Sequence, residues 1–165
     1  MKNRVRFVGL LAAAGLALVA TAAGAEPLVP LAPRPAPKAE QVELGKFLFF
    51  DTRLSGDAAI SCAKCHDPKK GWGDGQALST GYPGSEYFRN TQTILNAAHY
   101  RRSYWDGRMD GRDLATLVRD HLTEAHFMQA DGRLLIERLR QVPEYEAMFQ
   151  KAFGGEPSYG RILNA

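Results

Sequence analysis

Cysteine is scarce in this sequence: two residues in 165, Cys62 and Cys65. A multi-disulfide framework is therefore excluded, and no second cysteine pair exists to complete a four-ligand zinc site. Long apolar runs are equally scarce. One extends from about Val8 to Ala23, and no later segment is long or apolar enough to cross a bilayer. Strand patterning and internal repeats are absent. An excess of one charge is missing too, once the first residues are set apart. They carry Lys2, Arg4 and Arg6; without them Lys plus Arg falls from 21 to 18, equal to the 18 Asp plus Glu. The basic balance gives no case for nucleic-acid binding.

What is present begins with a basic start, an apolar stretch and the small-x-small site Ala23-Gly24-Ala25. Residues 1–25 read as a secretory signal cut after Ala25. The alternative, a membrane anchor, meets an apolar run short for a span. A periplasmic protein with no membrane contact after cleavage is expected. Residues 26–40 follow as a linker, with prolines at 27, 30, 33, 35 and 37. Such a stretch is extended and cannot build a core.

The two cysteines stand in SCAKCHDP, residues 61–68. A bare disulfide across two residues would be a tight, labile loop. A thioredoxin-type centre would need a βαβ context, and no strand pattern surrounds it. Attachment of haem c uses every residue of C-x-x-C-H. On one helical turn, positions i, i+3 and i+4 share a face. Cys62 and Cys65 can each form a thioether to a haem vinyl group, and His66 is left as the proximal iron ligand.

Elsewhere the patterning is helical. AEQVELGKFLFFD (39–51) lacks breakers apart from Gly45. Leu114, Leu117, Val118, His121 and Leu122 fall on one helical stripe after Asp113. Further helices are expected over about 133–140, from Pro143 to Gly154-Gly155, and after a Ser158 cap. Residues 67–100 are rich in Gly, Pro, Ser and Asn and read as a long functional loop able to wrap the haem. The class is all-α: a cytochrome c-like haem domain with long loops, over residues 41–165.

ELGKFLFFDTRLS (43–55), SCAKCHDPKKGWGDG (61–75), RNTQTILNAAHY (89–100), YWDGR (104–108) and RLRQVPEYEAMFQKAFGGEPS (138–158) together resemble the first haem domain of the bacterial di-haem cytochrome c peroxidases. Related di-haem enzymes that oxidise tryptophan in a partner protein share these motifs. The resemblance implies reduction of hydrogen peroxide with electrons from a small donor such as a cytochrome c or cupredoxin, and a homodimer is a candidate assembly. Family members continue into a second C-x-x-C-H domain. The chain is therefore expected to be incomplete at its C-terminus, with one haem here and two in the full-length protein.

The resemblance also assigns roles. Cys62, Cys65 and His66 match the peroxide-reacting haem. Trp105 matches a tryptophan on the electron path between haems; its other reading is a buried aromatic packing the core. Asn90 matches a residue that helps bind calcium, for which an amide oxygen is suited; its other reading is a turn former. Three positions depart from the pattern. Tyr82 stands where a far-side histidine ligand is usual, and is either a phenolate ligand or a stacked loop aromatic. Phe127, just before Met128, stands where the family places the glutamate that acts as acid and base on peroxide. Leu117 stands in place of a glutamine. Phe127 cannot move a proton. His126 and Glu124 are the expected substitutes, with surface positions as their other reading. His121 is a third nearby substitute, but on the apolar stripe it reads first as a satisfied core histidine.

Two functional classes remain at this point. A peroxidase-type enzyme needs an open iron site. An electron carrier needs both axial positions filled, with Met109, Met128 or Met148 available as the second ligand.

Overall fold

The computed structural model describes residues 27–82, 84, 87 and 89–165. The signal-peptide reading of residues 1–25 lies outside them. Two compact units are distinguished, residues 1–32 and 33–165. Of the first, residues 27–32 are described: they carry no regular structure and are exposed.

The second unit is built on five α-helices among the described residues: α1 (Ala39–Phe50), α2 (Leu114–Thr123), α3 (Gly132–Arg140), α4 (Pro143–Phe153) and α5 (Tyr159–Leu163). Their ends follow local chemistry. Asp113 accepts from Thr116 N to cap α2, Asp131 accepts from Arg133 N and Leu134 N to cap α3, and Ser158 accepts from Arg161 N to cap α5. Pro143 opens α4, and Gly154 closes it in the left-handed conformation at φ 72°. The all-α expectation holds, with one addition. A two-residue antiparallel pair, β1 (Arg102–Ser103) and β2 (Met109–Asp110), closes the turn that carries the YWDGR motif. Strands that short have no room for the period-two pattern by which a sequence announces a sheet.

The helical layer packs on itself. Leu44 and Leu48, one turn apart on α1, meet Phe149 and its neighbours on α4, and Leu135 and Leu139 of α3 join them. Phe149 is fully buried, which stabilises the fold by roughly 1.5–3 kcal/mol. Gly45, an apparent weakness in α1, has a packing reason. A Cβ there would lie 2.7 Å from the carbonyl carbon of Ala165, so the segment after α5 crosses α1 at closer range than any side chain allows.

The long middle segment is different. Short 3₁₀ turns at Thr52–Leu54, Cys62–Lys64, Pro68–Lys70 and Ala97–His99 punctuate it. Arg138 of α3 clamps its beginning, donating to the carbonyls of Arg53 (3.0 Å), Ser55 (2.6 Å) and Gly56 (2.8 Å). Between Leu54 and Leu122, no apolar side chain among the described residues is buried; Ser55, Asp74, Ser79 and Ser103 are the buried polar ones. The apolar stripe of α2 is correspondingly half covered. Leu122 is buried, Leu114 and Leu117 are partly so, and Val118 is 38% exposed.

Candidate haem centre

The C-x-x-C-H motif forms one tight turn. Cys65 N donates to Cys62 O (3.2 Å) and His66 N to the same carbonyl (3.0 Å). Cys62, Cys65 and His66 therefore stand at i, i+3 and i+4 of a helical turn, as the spacing required. Cys62 packs against the helical core, and α1 borders the turn. Both thiols are free. Burial pushes the Cys62 thiol up to about 11 and the Cys65 thiol upward as well. A redox-active pair needs a stabilised thiolate, which is the opposite.

The loop after the motif orients the imidazole. Asp67 N donates to Gly73 O (3.0 Å), Trp72 N donates to Asp67 O (2.9 Å), and the Asp67 carboxylate caps the Pro68–Lys70 turn through Lys69 N (2.8 Å). Gly71 and Trp72 both take positive φ, 66° and 61°. The result is that Trp72 O lies 3.1 Å from His66 Nδ1. A proton on Nδ1 donated to that carbonyl makes Nε2 the lone-pair atom, the arrangement that metal-bound histidines use. Burial lowers the proton affinity of His66, against support from the Trp72 and Gln92 carbonyls, and so favours the neutral ring that a metal requires. Phe49, at the end of α1, packs edge-on against Trp72 and lies beside His66, with ring centroids 5.7 and 6.5 Å apart. The donor set fits haem c: two neutral thiols, an oriented imidazole and a surrounding layer whose apolar groups lack a core. The backbone anchor at Trp72 was not visible in the sequence, because a tryptophan with positive φ has no propensity signature.

Across the segment a row of rings assembles. Tyr104, with φ 65°, stacks on His121 (5.4 Å, 7° between planes), and His121 stacks on Phe127 (4.4 Å, 11°). The Arg108 guanidinium covers the Tyr104 ring at 3.5 Å. His121 Nδ1 bonds the Leu117 carbonyl at 2.8 Å, so the expected satisfied histidine is found, through one of its two nitrogens. The Tyr104 hydroxyl is buried and has no hydrogen-bond partner. Burial, with Glu124 and Asp120 nearby, pushes it up to about 12.

The other candidates are distributed as follows. His126 Nε2 and Glu124 Oε2 pair at 3.1 Å on a half-exposed edge, with the His126 ring stacked on Tyr87 at 4.9 Å. The two expected substitutes are thus brought together, at the solvent side of Phe127. Burial, with the Asp57 carboxylate nearby, pushes the Tyr82 phenol up, and its backbone N–H donates to the His126 carbonyl. Trp105 is 56% exposed, which removes its reading as a core aromatic. Its Nε1 donates to Asn90 O (2.8 Å), and Asn90 Nδ2 donates to Gln76 O. The candidate electron relay and the candidate calcium ligand are therefore neighbours. Among the described residues no group of three or more His, Cys, Asp or Glu gathers as a metal cage. Met128 belongs to the helical core and Met148 packs against it.

The sequence profile of the di-haem cytochrome c peroxidases matches residues 39–165. The chain belongs to that family. The cytochrome-c peroxidase IdrP2 of Pseudomonas sp. (strain SCT) is 57% identical over 155 residues, which are 92% of this chain and 42% of that protein. The methylamine utilization protein MauG of Methylorubrum extorquens is 41% identical over 131 residues, 76% of this chain and 36% of MauG. Among solved structures, a MauG-like protein associated with microbial copper homeostasis superposes with a TM-score of 0.74 at 26% identity. The match covers 82% of this chain and 42% of that one. The di-haem peroxidase BthA of Burkholderia thailandensis gives 0.66 at 26% identity, over 83% and 39%. The chain thus spans well under half the length of these relatives.

Proposed function

We propose that residues 41–165 form the first haem domain of a periplasmic di-haem peroxidase, exported by the signal in residues 1–25. Haem c would be held by thioethers to Cys62 and Cys65 and by His66 through Nε2. The full-length protein carries a second haem and reduces hydrogen peroxide with electrons from a small cytochrome c or cupredoxin. The observation that carries this reading is the C-x-x-C-H turn, set against a layer with no buried apolar core among its described residues, inside a family match over 39–165.

When bound, the haem supplies an iron that takes peroxide and passes it electrons. The chain does the rest. The Trp72 carbonyl fixes the His66 tautomer, and Phe49 limits water beside it. The Glu124–His126 pair, half exposed, exchanges protons with solvent at the edge of Phe127. Trp105, exposed and held by Asn90 O, offers a ring to a second haem domain for electron relay. Asn90 keeps its amide oxygen for a calcium ion completed by residues of the second domain. Tyr82 serves as a loop aromatic beside Asp57. A homodimer completes the proposal.

The test uses the full-length protein matured with haem. Reduced donor and hydrogen peroxide are mixed, and both are followed optically. Two donor electrons consumed per peroxide are expected. Permanently low-spin iron that consumes no peroxide would instead make this an electron carrier.

A further inference from the structure

Phe127 leaves the peroxidase reading without a proton carrier where the family resemblance places one. We propose that His121 Nε2, assisted by the Tyr104 hydroxyl, is the group that meets the substrate and moves its proton. The inference rests on the peroxidase reading and deepens it.

Four observations carry the assignment. First, the His121 ring cannot turn freely: Tyr104 and Phe127 sandwich it in near-parallel stacks, and its Nδ1 is committed to the Leu117 carbonyl at 2.8 Å. Nε2 has no hydrogen-bond partner among the described residues. Second, burial lowers the proton affinity of His121, against support from the Leu117 carbonyl, and with the Nδ1 proton donated to that carbonyl the lone pair falls on Nε2. Third, the neighbouring Tyr104 hydroxyl is buried without a partner. Burying such a group unpaired is costly, a penalty that a polar ligand would relieve. Fourth, His126 spends its Nε2 on Glu124 at a half-exposed edge. It is suited to exchange with solvent and poorly placed to touch a substrate inside the Tyr104–His121–Phe127 row.

The chemistry is balanced. His121 Nε2 accepts a proton from one oxygen of hydrogen peroxide and returns it to the other. The O–O bond breaks, and the departing oxygen leaves as water. Two electrons from the donor protein and two solvent protons complete the reduction to a second water, and His121 ends with the proton count it began with. Tyr104 donates to the oxygen that accumulates charge.

The test uses the full-length haem protein and two probes, hydrogen peroxide and cyanide. Hydrogen cyanide must give up its proton to bind ferric iron as the anion, so its association rate reads a local base independently of turnover. His121→Phe keeps the stacked ring and removes the base. Both association rates are expected to fall about 10²-fold or more, the range of general acid–base catalysis, with the visible spectrum and covalent haem retained. Tyr104→Phe is expected to slow peroxide more than cyanide, and His126→Ala to cost less than tenfold on both. Rates in His121→Phe equal to wild type, or a larger loss in His126→Ala, would overturn the assignment and leave the peroxidase reading standing. A low-spin ferric spectrum that turns high-spin in His121→Phe would make His121 an iron ligand and overturn the proton role. Wild-type protein inert to both probes would sink the peroxidase reading and this inference with it.

Discussion

The two ends of the domain and its middle are built on different terms. The twelve buried hydrophobic core residues found among the described positions all lie in residues 39–54 and 122–163, and they pack into one cluster around Phe149, Leu44 and Leu135. Residues 55–121 contain none among the described positions, and they hold the C-x-x-C-H turn, the Tyr104–His121 stack and Trp105. They also hold four of the five non-glycine residues with positive φ among the described residues: Ala58, Trp72, Asn96 and Tyr104. A segment so constrained, and with so little core of its own, gains its order from what it surrounds. The helical layer is a scaffold, and the middle segment is a mould for haem.

If the scaffold stands by its own packing, its loss should be costly whatever the mould contains. Phe149→Ala removes a fully buried ring from the centre of the cluster and should lower stability by about 3–5 kcal/mol, in protein with or without haem. Denaturant unfolding followed by far-UV circular dichroism measures this. A loss below about 1 kcal/mol would show that the helices do not form the stabilising layer.

A smaller effect sharpens where the scaffold meets the middle segment. The Tyr145 hydroxyl of α4 donates to Asp51 Oδ2 at 2.6 Å, just after α1. Burial raises the Asp51 carboxyl, but bonds from Tyr145 and Arg53 outweigh it and hold the group below its usual range. Tyr145→Phe should cost about 1 kcal/mol near neutral pH. A depressed carboxyl contributes stability above its unfolded pKa, about 3.9, and loses it as pH falls through the lower folded value. The gap between wild type and variant should therefore be constant from pH 7 to about 5 and narrow below about 4. A gap that widens in acid would contradict the assignment.

The smallest stability effect is expected on the exposed side of the mould. Trp105→Phe should change the stability of this chain by no more than about 0.5 kcal/mol, while, on the proposed function, slowing peroxide turnover in the full-length protein with the haem spectra unchanged. A stability loss of several kcal/mol would return Trp105 to a core role that its exposure denies.

The scaffold was largely legible in the sequence because its signals are local. Asp113, Pro143, Gly154 and Ser158 mark helix ends through bonds or torsions within a few residues. C-x-x-C-H was legible for the same reason. The mould was legible only as a loop. The Trp72 carbonyl that orients His66, the Arg138 clamp on residues 53–56 and the facing of Tyr104, His121 and Phe127 are contacts of long range. No periodicity encodes them. Trp105 was ambiguous because a tryptophan beside Asp and Arg suits a buried site or an interface equally well, and only the fold decides which. The apolar stripe of α2 pointed to a buried face, whereas the structure leaves part of it uncovered beside the mould.

Hydrogen exchange on the haem-loaded protein and on its Cys62→Ala/Cys65→Ala variant tests the central claim most directly, because it reads scaffold and mould in one experiment. Amides of α3 and α4 should be protected in both proteins. Amides of residues 61–112 should be protected with haem attached and exchange freely without it. Equal protection of residues 61–112 in the two proteins would mean that the middle segment orders itself, and would contradict the account of a mould completed by haem.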